Sequence, residues 1–128
     1  MKAIKINVEK KELEYVELTD DYKDIYNHIG NGCSNFEVPI TFENEDTIFS
    51  DEEICLREND IKGGFIMENW SYPLLNNGIL LGCNLEGDST DCKSTIEDLK
   101  DKIFFVNVDD CKIWARKVIN TPPQIISL

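Results

Sequence analysis

Three consecutive carboxylates, Asp51, Glu52 and Glu53, are the densest set of metal-type ligands in the chain. Hard cations such as Mg²⁺ and Ca²⁺ take oxygen ligands of this kind. The alternating ligand spacing of a calcium loop is missing, so the cluster reads better as an acidic turn between strands. His28 is the only histidine, and Cys33 follows it closely. A Cys–His pair can make a nucleophile, but a third group must orient the imidazole, and none is marked in the sequence. Trp70 and Tyr72 stand just before Pro73. Such a pair is either a plug in the core or a stacking platform for a flat ligand. Asn76-Asn77-Gly78 is a tight-turn signal. The loop Gly87-Asp88-Ser89-Thr90-Asp91 lacks the Gly-Lys-Ser/Thr ending of a phosphate loop, and its two acids would repel phosphate. It reads as a turn, with a ligand role only for an uncharged or cationic group held by Asn77, Asn84, Ser89 and Thr90.

The five cysteines, Cys33, Cys55, Cys83, Cys92 and Cys111, are odd in number and widely spaced. Neither a disulfide framework nor a zinc knuckle has that pattern. They read as reduced thiols, with Cys92, in a polar loop, the most open to reaction. No metal, cofactor or catalytic residue is expected.

The formal charge is −12, from 25 acidic and 13 basic residues. Residues 24–61 hold ten of the acids and a single basic residue, Arg57, whereas Lys112, Arg116 and Lys117 stand in an acid-free C-terminal stretch. Direct nucleic-acid binding is disfavoured, because phosphate contacts need clustered Lys and Arg. An acidic face suits a basic partner surface instead, or simply keeps a small protein in solution. No apolar run approaches the roughly 20 residues of a membrane helix. The N-terminus alternates apolar and charged residues, unlike a secretory signal. The chain reads as soluble and cytosolic.

These residues need elements to position them. Lys2 to Val8 alternates with a period of two, and Leu13 to Leu18 repeats the pattern, which predicts an N-terminal β-hairpin. Tyr22, Ile25, Tyr26 and Ile29 form one helical stripe, with Thr19 or Asp20 as cap and Gly30 at the end. Asn35 to Phe42 is a strand in which Pro39 removes a ladder donor, so it belongs at an edge or a bulge. Thr47 to Ser50 is a strand, and Ile54 to Arg57 could pair back. Gly64 to Trp70 supplies another strand. Ile79 to Asn84 is a continuous apolar strand, best placed centrally. Ser94 and Glu97 have capping-box spacing before a helix running to about Lys102. Ile103 to Val108 is a buried strand, Asp109 to Lys112 a turn, and Ile113 to Ile119 either strand or helix. Thr121-Pro122-Pro123 ends the pattern. The expectation is one α+β domain over residues 1–120, a mostly antiparallel sheet meander with two short helices packed on it, and a tail over 121–128.

The order of the "MKAIKINVE" strand, the "YKDIYNHIG" helix, the "FSDEE" turn and "NNGILLGCNLEGD" resembles a family of small proteins of unknown function. These are carried by phages, plasmids and other mobile elements, largely in Firmicutes. In that family a Gly usually follows the Asp-Glu-Glu turn, where this chain has Ile54. The resemblance spans about residues 1–92. It implies a bacterial or phage-infected cytoplasm and supplies no catalytic residues.

Two functions follow as expectations. In the first, an accessory protein of a phage or mobile element, such as a host-defence antagonist, uses an acidic face to block a basic, nucleic-acid-binding surface of a host protein. Glu43, Glu45, Asp46, Asp51, Glu52 and Glu53 would form that face. In the second, a small-molecule or nucleotide-binding module uses Trp70, Tyr72, Asn76, Asn77, Asn84, Ser89 and Thr90, with Lys112, Arg116 and Lys117 available to phosphate. An enzyme is disfavoured for want of a placed base, nucleophile or metal site.

Overall fold

The computed structural model describes residues 1–120; the expected tail, with its Pro-Pro break, lies outside them. Nine strands and three helices give an α+β fold: β1 (Lys2–Asn7), β2 (Glu12–Glu17), α1 (Lys23–Ile29), β3 (Phe36–Thr41), β4 (Thr47–Asp51), β5 (Gly64–Met67), β6 (Leu74–Leu75), β7 (Gly78–Cys83), β8 (Ser89–Thr90), α2 (Ile96–Leu99), β9 (Ile103–Val106) and α3 (Val108–Asn120). The strands make two sheets, not one. The larger runs β2-β1-β7-β4-β3, with β8 added beside β7; the smaller runs β6-β5-β9. Every pairing is antiparallel.

The apolar alternation of each strand decides what its faces cover. Ile4, Ile6, Ile48 and Leu80 of the larger sheet meet Phe65, Met67 and Ile103 of the smaller one in a core shared by both sheets. The opposite face of the larger sheet, through Ala3, Ile79 and Leu81, packs on Ile25 and Ile29 of α1. The outer face of the smaller sheet receives α3 through Leu75, Cys111 and Ala115. The layers are therefore α1, large sheet, small sheet, α3. Gly64 permits the last contact: a Cβ there would stand 2.8 Å from Cys111 Sγ and 2.7 Å from the Leu74 carbonyl.

The strand Ile79 to Asn84 is central, as its unbroken apolar run implies, and β3 is an edge strand whose register shifts between Glu37 and Ile40, around Pro39. Five local expectations change. Ile54–Leu56 is a 3₁₀ turn, not a returning strand. Arg57 ties that turn down, its guanidinium donating to Asp51 at 2.6 Å, to Asp60 at 2.9 Å and to the Asn31 carbonyl at 3.1 Å. The capping box of α2 is Thr95–Asp98, not Ser94–Glu97, because the Ser94 backbone N–H is already held by Asp46 at 2.7 Å. That helix is only four residues long, since the chain must turn at Lys100–Lys102 into β9. Residues 108–120 form one helix, not a turn followed by a strand: Asn107 Oδ1 accepts the Asp110 N–H at 2.9 Å, and Cys111, Trp114, Ala115 and Val118 repeat at helical spacing. Finally, neither Thr19 nor Asp20 caps α1; Thr19 donates to Asp24, and Asp21 Oδ1 takes the Lys23 N–H at 3.0 Å.

Candidate functional site

The sequence-derived acidic face comes apart into exposed Glu43 and Glu45, exposed Glu52 with half-buried Glu53, and two buried carboxylates. Asp46 is fully buried, and its carboxylate accepts the backbone N–H groups of Lys93, at 3.0 Å, and Ser94. It fixes the segment that enters α2. Asp51 is 4% exposed and ion-paired to Arg57. Both acids are taken up by partners within the fold. Glu43 and Glu45 sit at the turn before β4, and Glu52 and Glu53 follow its end. The five residues of β4 separate the two pairs by roughly 17 Å at about 3.4 Å per residue. Glu45 reaches Lys93 Nζ at 3.7 Å, and Glu53 accepts from Asn35 Nδ2 at 2.7 Å.

The expected polar ligand set also disperses. Asn76, at a positive φ of 66°, marks the crossing from the small sheet to the large one. Its Oδ1 accepts the Lys62 N–H at 2.7 Å, and its Nδ2 donates to the Asp60 carbonyl at 2.9 Å. Asn77 accepts the Val8 N–H at 2.9 Å and donates to the His28 carbonyl at 3.3 Å. Asn84 closes its own loop by accepting from Glu86 and Asp88. Ser89 and Thr90 form β8 against β7. The Gly87–Asp91 loop, read as a turn, is thus a strand at Ser89–Thr90 after a turn at Leu85–Glu86, and none of these side chains lines the groove with Tyr72.

Of the aromatic pair, Tyr72 lines a groove together with Trp114, a residue that the sequence did not single out, whereas Trp70 packs against the core shared by the two sheets. Trp70 and Tyr72 lie 5.4 Å apart between ring centroids, and Tyr72 stands parallel to Trp114 of α3 at 6.2 Å. Tyr72 and Trp114 line a groove of about 590 Å³ where the β3–β4 edge, the Ile54–Leu56 turn and α3 converge. Its apolar walls include Leu56, which is 72% exposed, and half-exposed Val118 and Ile119. Glu37, Asp51 and Glu52 line the same groove, and among the described residues no basic side chain does. Glu37 lies directly across from Ser50 in the β3–β4 ladder, so the two side chains share a sheet face. Ser50 is 2% exposed and its hydroxyl has no hydrogen-bond partner among the described residues; Trp70 Nε1 is likewise unpartnered. The missed residues Trp114, Leu56 and Glu37 come from three distant segments. Only the helical stripe through Trp114 was readable in advance.

Burial raises the Glu37 carboxyl above the usual glutamate range, and the nearby Glu52 and Asp51 charges add to it. The thiols move the same way. Burial and Asp51 push Cys33 up to about 11, and burial and Asp110 push Cys111 up to about 11. Cys92, expected to be the reactive thiol, packs into the shared core and is also raised by burial and by Asp46. His28, at the end of α1, is held below the usual histidine value by burial and then by Lys5. Cys33 Sγ contacts the Asn35 carbonyl at 3.5 Å. Among the described residues no group of three or more His, Cys, Asp or Glu is arranged to hold a metal ion. No helix among them is long and apolar enough to cross a membrane.

No known protein family, curated protein or solved structure matches the chain. Fold and site together give an α+β structure with an acid-walled aromatic groove, and the reading of its function rests on that geometry.

Proposed function

We propose that this protein acts by binding, as an accessory protein of a phage or other mobile element whose acidic surface covers a basic, nucleic-acid-binding surface of a host protein in the cytoplasm. The observation that carries the reading is the groove wall: exposed Glu37 and Glu52 stand beside a contiguous apolar surface of Leu56, Tyr72, Val118 and Ile119. Apolar area supplies affinity and the carboxylates choose a cationic counterpart. The charge of −12 adds attraction at long range, which speeds encounter with a basic surface. The Glu37 carboxyl is raised first by burial and then by the Glu52 and Asp51 charges, and a positive group seated at the wall would relieve the charge part. The immobilised protein should therefore retain a basic protein from its own cells at low salt and release it as salt rises. The Glu37→Gln/Glu52→Gln variant should retain about tenfold less. Equal retention by that variant would contradict the reading.

A second reading has its own observation. The groove volume of about 590 Å³ lies within the range of small-molecule sites, and parallel aromatic rings line it. A small-molecule-binding module would use Tyr72 and Trp114 as walls. The nucleotide version of this idea loses its support, because the wall is acidic and Arg116 is paired with Glu58.

A further inference from the structure

We propose that the groove between the β3–β4 edge and α3 is a binding site for a small organic cation, an ammonium carried on an aromatic or branched apolar body. This rests on the second reading, that the groove takes a small molecule, and names the class.

Three independent features select that chemistry. Tyr72 and Trp114 line the groove with their rings parallel, and Trp70 packs beside Tyr72 on the core side. Ring faces carry the negative lobe of the aromatic quadrupole and attract a cation, most strongly where water is displaced. Glu37 and Glu52 line the same space, uncompensated there by any described basic side chain, while Asp51 behind them is already neutralised by Arg57. An anion or phosphate would meet only repulsion. Ser50, on the same sheet face as Glu37, carries a buried hydroxyl with no partner in the described chain. Buried hydroxyls are nearly always hydrogen-bonded, so an unpartnered one in the groove wall leaves hydrogen-bonding capacity for a polar group of a ligand. The exposed aliphatic side chains of Leu56, Val118 and Ile119 would cover the apolar body.

Both tryptophans of the chain lie in or beside this site, so their emission reports occupancy. The full chain is titrated with benzyltrimethylammonium, with neutral benzyl alcohol, with benzenesulfonate and with a short Trp-Arg peptide, by fluorescence and calorimetry. Saturable binding of benzyltrimethylammonium, at least about tenfold tighter than benzyl alcohol, is expected. Benzenesulfonate should not bind. Glu37→Gln/Glu52→Gln should lose about that same factor, and Tyr72→Leu a comparable one. The glutamates are exposed, so the double variant keeps its fold, and thermal melting checks both variants. Equal binding of the cation and the alcohol would overturn the cation assignment while leaving the groove a small-molecule site. Binding of the peptide alone would also overturn it, in favour of a protein ligand. Binding of no probe would overturn both this inference and the reading beneath it.

Discussion

Single residues carry two distinct electrostatic roles here, and the sequence does not distinguish them. Asp46 and Asp51 stand in the same acidic run as Glu43, Glu45, Glu52 and Glu53, yet only the first two are buried and serve backbone or guanidinium donors. Burial depends on partners 6 and 48 residues away in sequence, Arg57 and Ser94, which a charge count cannot see. Removing the Asp46 carboxylate strands the Lys93 and Ser94 N–H groups. Asp46→Ala should therefore destabilise the fold by about 3 kcal/mol, the scale of buried donors losing a charged acceptor, read from denaturant midpoints. Glu37 behaves in the opposite sense. Its carboxyl is raised in the folded state by burial, Glu52 and Asp51, so its ionisation opposes folding. The site is least costly below the ordinary glutamate range, and stability is lost as pH rises through the raised value. Glu37→Gln should thus be more stable than the parent at about pH 7 and equal to it at about pH 3. A constant difference at both pH values would contradict that assignment.

Among the elements, period-two and helical patterns located most of what is present. The hairpin of β1 and β2, the central β7, the edge position of β3 and the apolar stripe of α1 were all legible, because each depends on residues near one another in sequence. The second sheet was not. β6 is two residues long and pairs with β5 in one sheet, whereas β7, just beyond Asn76-Asn77, joins the other. Asn76 takes the positive φ that a turn signal announces, but the turn switches sheets instead of closing a hairpin. α3 was divided in the sequence reading because Asp109 and Asp110 resemble a turn; they are the first-turn acids that a helix dipole favours. Its seat depends on Gly64. Gly64→Ala would drive a methyl group into Cys111 Sγ and the Leu74 carbonyl, and should cost about 2 kcal/mol, the range of core overpacking. Because α3 supplies Trp114, Val118 and Ile119 to the groove, the same change should weaken groove ligands. Unchanged stability would mean that α3 seats less tightly on β5 than the packing implies.

At one corner of the molecule, Glu37 and Glu52 stand beside the exposed apolar side chains of Leu56, Val118 and Ile119. Residues from the β3–β4 ladder, the segment before β6, and α3 meet there, so the site exists only when the large sheet, the small sheet and the last helix are all docked. This explains why the candidate site was half legible. Tyr72, Trp70 and Glu52 drew notice as residue types, but their companions Glu37, Ser50 and Trp114 acquire meaning only from tertiary contacts. The measurement that bears most directly on the proposed function uses an extract of the cells that carry the gene and a labelled oligonucleotide bound by its proteins. Adding the protein should release the oligonucleotide. Release should weaken as salt increases, and Glu37→Gln/Glu52→Gln should need about tenfold more protein for the same effect. If the parent protein releases none, or the variant releases as much as the parent, the chain does not act by covering a basic nucleic-acid-binding surface.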